Sequence, residues 1–158
     1  MTETTADDEA VAVTSTTVTA DPQTAFEVFT GGVGRWWRRG TRYWNDSARG
    51  LRVEFEPGIG GRFLEVYADG AFEIGRVTAW EPGERLGFTW REATWDADSA
   101  TTVDVRFEAV DGGTRVTVRH GGWDAAGQRD SAGNYSHGWV ELLGWYGEAA
   151  AGAAAAPA

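Results

Sequence analysis

The sequence contains no cysteine and no lysine, and its only two histidines stand at positions 120 and 137. Without cysteine, disulfide frameworks, thiolate zinc sites and cysteine nucleophiles are excluded. Without lysine there is no phosphate-cradling G-x-x-x-x-G-K-[ST] loop, and neither G-x-S-x-G nor H-E-x-x-H occurs. Two histidines are too few for a histidine-based metal centre and argue against a Ser-His-Asp triad. No stretch reaches the ~18 apolar residues of a membrane span. Basic runs are missing as well. All 14 basic residues are arginines set against 24 acids, which gives a net charge of −10 and argues against nucleic acid and anionic membranes as partners. Met1 to Glu9 is polar and acidic, with neither the positive nor the apolar region of a signal peptide. A cytoplasmic protein is expected.

What is present is aromatic. A chain of 158 residues, 24% charged and 42% apolar, has ordinary proportions for one domain with a sizeable core. Nine Trp, seven Phe and four Tyr are more than such a core requires, so an aromatic-lined pocket is expected beside it.

Residues 1–9 read as a flexible acidic lead, 10–148 as the domain, and 149–158 as an Ala-rich tail expected to fray. Ala10–Thr19, rich in Val and Thr, predicts a strand. Asp21-Pro22 is an N-cap followed by proline in the first turn, and Gly31-Gly32 closes the helix they start. A second short helix or turn carries Trp36-Trp37. Six strands follow: Leu51–Glu56, Gly61–Tyr67, Phe72–Trp80, Arg85–Arg91, Thr101–Val110 and Thr114–His120. Asp69-Gly70 and Asp111-Gly112-Gly113 supply tight turns between them. Val103, Val105 and Phe107 alternate with polar neighbours, as do Val116 and Val118, which predicts antiparallel strands with one buried face. In Phe72–Trp80 the parity conflicts, because Val77 and Trp80 both call for burial; a bulge between them would resolve it. Finally Tyr135, Trp139, Leu142, Leu143 and Tyr146 share one face of a long C-terminal helix.

A curved antiparallel sheet of about seven strands needs something to fill it, and that helix is the evident filler. A cavity is expected where sheet and helix do not meet. This order of elements resembles the SRPBCC superfamily, the START-like or helix-grip α+β fold. More narrowly it is similar to the branch named after the C-terminal domain of the activator of Hsp90 ATPase. The strings that carry the likeness are Thr19-Ala20-Asp21-Pro22, Ala25 to Phe29, Trp36-Trp37, Gly60-Gly61-Arg62-Phe63, Gly75-Arg76-Val77, Phe88-Thr89-Trp90, Gly113 to Val118, and Gly138-Trp139 with Leu142-Leu143. The resemblance covers about residues 11–147. The resemblance implies the fold and leaves several functions open, since the superfamily holds lipid binders, polyketide cyclases and co-chaperone domains.

The first functional reading is a non-catalytic binder of a small hydrophobic ligand, polycyclic or lipid-like, between sheet and C-terminal helix. Its expected lining is Trp36, Trp37, Phe63, Arg76, Phe88, Trp90, His120 and Trp139, with no metal and no cofactor. Trp36 and Trp37 would form either a lid or wall on the ligand or a core plug at the open end of the sheet. His120, in parity with Val116 and Val118, would face inward, either to bond the ligand or serve as a general base, or as a satisfied histidine at the sheet edge. His137, off the apolar stripe, is expected to be exposed. The alternatives are a co-chaperone-type module with a protein partner, a polyketide cyclase or dehydratase using His120, Arg76 or Glu73, and an antibiotic-sequestering self-resistance protein. Either a monomer or a homodimer fits these readings.

Overall fold

The computed structural model describes residues 11–96, 98–123 and 132–155. The acidic lead over residues 1–9 therefore lies outside the described residues. Strand β1 (Ala12–Val18) leads into helix α1 (Pro22–Thr30) and the single turn α2 (Val33–Trp36). Asp21 caps α1, its carboxylate accepting the Thr24 N–H at 2.8 Å, and Pro22 stands where no N–H partner is needed. Six strands follow: β2 (Arg52–Phe55), β3 (Arg62–Tyr67), β4 (Gly70–Glu81), β5 (Arg85–Trp90), β6 (Thr101–Val110) and β7 (Gly113–Gly121). Helix α3 (Ala132–Ala155) closes the order.

The seven strands form one antiparallel sheet in the order β1-β7-β6-β5-β4-β3-β2. The sheet curls into a half-barrel around α3, which is the helix-grip arrangement. Every neighbour pair except β1-β7 is sequential in the chain, so the sheet is a meander whose first strand folds back beside the last. Helix α3 packs against β1, β7, α1 and α2, with Trp139, Leu142, Leu143 and Tyr146 all buried.

Strand β4 carries the predicted parity conflict, and two register shifts resolve it. One lies opposite Phe63/Leu64, the other between Val77 and Ala79. Each places an extra β4 residue against its neighbour, so Ile74 and Val77 enter the core and Trp80 packs on it although they do not share a single parity. Gly75 sits between the shifts because β5 approaches too closely for a side chain; a Cβ there would lie 1.7 Å from the Thr89 carbonyl oxygen.

The space between sheet and helix is filled. Phe55 stacks on Phe63 at 4.1 Å between centroids, Phe88 meets both edge-on, and Trp37 reaches Phe63 at 5.9 Å. Phe29, Trp36 and Tyr146 form a second aromatic cluster. The surplus of aromatic side chains is thus spent first on the interior, and the free volume is displaced toward one end of the fold. The last turns of α3 also differ from expectation. Helix continues to Ala155, past the 148 boundary, and Ala150 is 0% exposed in the core. A methyl group is enough where helix and sheet meet closely, and alanine pays the least entropy to stay helical.

Candidate functional site

A cavity of about 740 Å³ opens at the end of the sheet where β5 runs out. Its walls come from three segments: the loop 42–45, the end of β5 at Trp90 with the stretch 92–94 after it, and the face of α3 that carries Tyr135, Gly138, Trp139 and Leu142. Exposed Arg42, Ala93, Thr94 and His137 form its rim. Trp44, Trp90 and Trp139 are buried behind it and Tyr43 and Tyr135 are half-buried. The volume falls within the range of about 300–1,000 Å³ usual for small-molecule sites, which likewise combine apolar walls with a few polar groups.

The loop wall is held by a buried carboxylate. Glu65, on β3, is 0% exposed. It accepts the backbone N–H groups of Asn45 at 2.8 Å and Asp46 at 2.9 Å, and the Tyr67 hydroxyl at 2.6 Å. Burial and the neighbouring Glu65 charge push the Tyr67 hydroxyl well above the ordinary tyrosine range, so it remains a donor. Asn45 passes the constraint across the cavity: its Oδ1 accepts the Ala93 N–H at 2.8 Å. Trp44 is fixed by donating Nε1–H to the Arg38 carbonyl at 2.7 Å, its ring lying on Gly50. On the facing helix α3, Gly138 leaves room for the Tyr43 ring.

The inner wall is a polar chain among aromatic rings. Trp90 Nε1–H donates to the Tyr135 oxygen at 3.0 Å, and the Tyr135 hydroxyl donates to Glu92. Burial first, and then the bond to Glu92, raise the Tyr135 hydroxyl above its ordinary range, so it stays protonated. Behind this wall lies His120, 0% exposed. Trp139 Nε1 can only donate, so His120 Nδ1 accepts at 3.1 Å and the ring proton sits on Nε2. Nε2–H then donates to Thr101 Oγ1 at 2.7 Å, whose own hydroxyl donates to the Trp90 carbonyl at 3.1 Å. Desolvation holds the imidazole pKa down to about 3. Both ring nitrogens are used and neither meets the cavity.

Of the eight expected lining residues, Trp90 and Trp139 border the cavity. Trp36 and Trp37 are 2% and 3% exposed and serve as core rather than lid; Trp36 Nε1 is tied to the Val28 carbonyl and Trp37 Nε1 to the Tyr43 carbonyl. Phe63 and Phe88 belong to the interior stack described above. His120 does face inward, but as a satisfied structural group one layer behind the wall. Arg76 points outward instead of lining the cavity, because the shifts in β4 turn Ile74 and Val77 inward and leave Arg76 exposed, bonded to Glu73 at 2.9 Å. His137 is exposed at the rim, as expected. Sequence reasoning missed Tyr43, Trp44, Asn45 and Glu92, which lie in loops without periodicity. The one available signal was the aromatic density of Arg42-Tyr43-Trp44-Asn45 in a segment too short to build a core. Among the described residues no group of His, Asp and Glu side chains gathers as a metal site, and no helix is long and apolar enough to cross a membrane.

The model of the family described as activator of Hsp90 ATPase homolog 1-like protein matches residues 19–144. The chain belongs to that family. Its fold is shared by several solved structures. Protein MLL2253 from Mesorhizobium loti superposes with a TM-score of 0.67 at 20% identity, over 88% of this chain and 95% of that one. The Aha1 dimer from Colwellia psychrerythraea gives 0.62 at 16% identity, over 84% and 90%. The anthrahydroquino-γ-pyrone synthase Txn09 gives 0.60 at 28% identity, over 88% and 96%. No curated protein matches the sequence. A family fold with this many buried aromatics is compatible with ligand binding.

Proposed function

We propose that this protein binds a flat, polycyclic aromatic small molecule in the end cavity, between the 42–45 loop and the first half of α3. The observation that carries the reading is the cavity itself: about 740 Å³, walled by Trp44, Trp90, Trp139, Tyr43 and Tyr135. Burial of a ring system against such walls supplies roughly 25 cal/mol for each Å² of apolar surface removed from water, and stacking on the aromatic faces adds orientation. The similarity to Txn09, whose name describes a synthase of a fused aromatic skeleton, supports the same ligand class. A chaperone-directed surface is the weaker reading. Among the described residues the exposed large apolar side chains Val13, Leu51, Ile59 and Val140 stand on separate elements, whereas docking surfaces need contiguous apolar area.

The test is a tryptophan-fluorescence titration with a hydroxyanthraquinone, a long-chain fatty acid and a sterol. Saturable quenching by the polycycle is expected. Ala93→Trp, which places an indole in the cavity mouth, should weaken it at least tenfold, while Ile59→Trp on the far surface should leave it alone. A flat response to all three compounds by the folded protein would overturn the reading.

A further inference from the structure

Among the described residues, the cavity wall holds one carboxylate without a cation. Glu92 is half-buried and receives the Tyr135 hydroxyl, yet among the described residues no arginine pairs with it. This is unlike the carboxylates of Glu54, Glu56, Glu73, Glu108, Glu148 and Asp104, each of which has its own arginine. The guanidinium that does border the cavity, Arg42, is committed elsewhere. It donates to the Tyr43 oxygen at 3.0 Å, lies 5.1 Å over the Tyr43 ring, and faces Glu141 at 3.8 Å. His137 completes the titratable groups at the rim.

Any ligand that fills the cavity strips water from Glu92. Tyr135 supplies one donor to one oxygen; the remaining lone pairs would be left facing an apolar surface. An unpaired carboxylate in such surroundings is costly, and the cost falls on any ligand that brings no donor of its own. An ammonium group removes that cost and adds attraction to the faces of the surrounding indoles. The net charge of −10 points the same way, since it enriches cations near the surface before they bind.

We infer that the ligand of this cavity is a cationic amine carried on a flat aromatic body, its ammonium placed between the Glu92 carboxylate and the indole of Trp90. The inference rests on the binding reading above and narrows it. The exposed carboxylate–arginine pairs Glu56–Arg62, between β2 and β3, and Glu73–Arg76, on β4, have no such role because their charges are already met in water.

Isothermal titration at neutral pH and low salt with three matched probes tests it: 9-(aminomethyl)anthracene, 9-(hydroxymethyl)anthracene and anthracene-9-carboxylate. The amine is expected to bind at least tenfold more tightly than the alcohol, and the carboxylate more weakly than both. Glu92→Gln, which keeps an acceptor for Tyr135 while removing the charge, should bring the amine-to-alcohol affinity ratio close to one. Tyr135→Phe, a second variant that preserves the wall, should retain the preference for the amine. Equal affinities for amine and alcohol in the unaltered protein, or a preference that survives Glu92→Gln, would overturn the amine assignment and leave the binding reading standing. Failure of all three probes to bind would overturn both.

Discussion

At the scale of single residues, two buried polar side chains set how this molecule responds to change. His120 stays neutral in the fold down to a pH of about 3, whereas an unfolded histidine takes its proton near 6.5. The unfolded state therefore holds more protons at every pH between those values. The stabilising contribution is complete above about pH 6.5 and is lost as the pH falls through that window. Urea unfolding at a series of pH values should show stability declining by about 1.4 kcal/mol per pH unit below about pH 6, before most carboxylates titrate. His120→Gln, which can still accept from Trp139 and donate to Thr101, should flatten that decline between pH 6 and 5. Glu65 is the second such group. Truncation to alanine strands the Asn45 and Asp46 N–H groups and the Tyr67 hydroxyl in a buried place, at a cost of about 3 kcal/mol. Because Asn45 also bonds Ala93, the same substitution should loosen both sides of the cavity. Hydrogen exchange at the Asn45, Asp46 and Ala93 amides reads that loosening directly, and unchanged protection there would contradict it.

At the scale of elements, the C-terminal helix gives the most informative contrast between composition and packing. A run of alanines suggests a tail with nothing to bury, yet Ala150 lies wholly inside the core while Ala151 next to it is exposed. Ala150→Leu should therefore overpack the helix–sheet contact and cost about 1–3 kcal/mol, whereas Ala151→Leu should change thermal stability by no more than about 0.5 kcal/mol. The strands and both ends of α1 were legible because period-2 alternation, Asp-Gly turns, the Asp21 cap and Gly31-Gly32 are all local signals. The core face of α3 was legible for the same reason. The bulges in β4 were half legible: Val77 against Trp80 announced a conflict, but only the pairing with β3 and β5 decides that Arg76 faces water. The cavity was not legible in place. Its position depends on how completely Trp36, Trp37, Phe63 and Phe88 fill the interior, which is a matter of volume in three dimensions. A sequence shows that these rings are apolar and large; it does not show that they exclude everything else. Loop residues such as Asn45 and Glu92 acquire their roles only through partners 20 or more positions away, with no periodicity to mark them.

At the scale of the whole molecule, the first part of the chain completes itself with the last. Ala12 pairs opposite His120, Thr114 donates to the Ala20 carbonyl at 2.8 Å, and Tyr146 donates to the Ala25 carbonyl at 2.8 Å, 121 positions apart. Strand β1 has no sheet neighbour until β7 exists, and α1 lacks part of its hydrophobic cover until α3 is in place. Closing loops of that length before any contact rewards them is slow. Stopped-flow refolding followed by tryptophan emission should accordingly run in milliseconds to seconds rather than microseconds. On the ribosome the consequence is stronger. The N-terminal strand and helix leave the exit tunnel long before their partners are made, and their apolar faces wait in water for the remainder of synthesis. Productive folding then waits for α3, whose arrival covers β1 and α1.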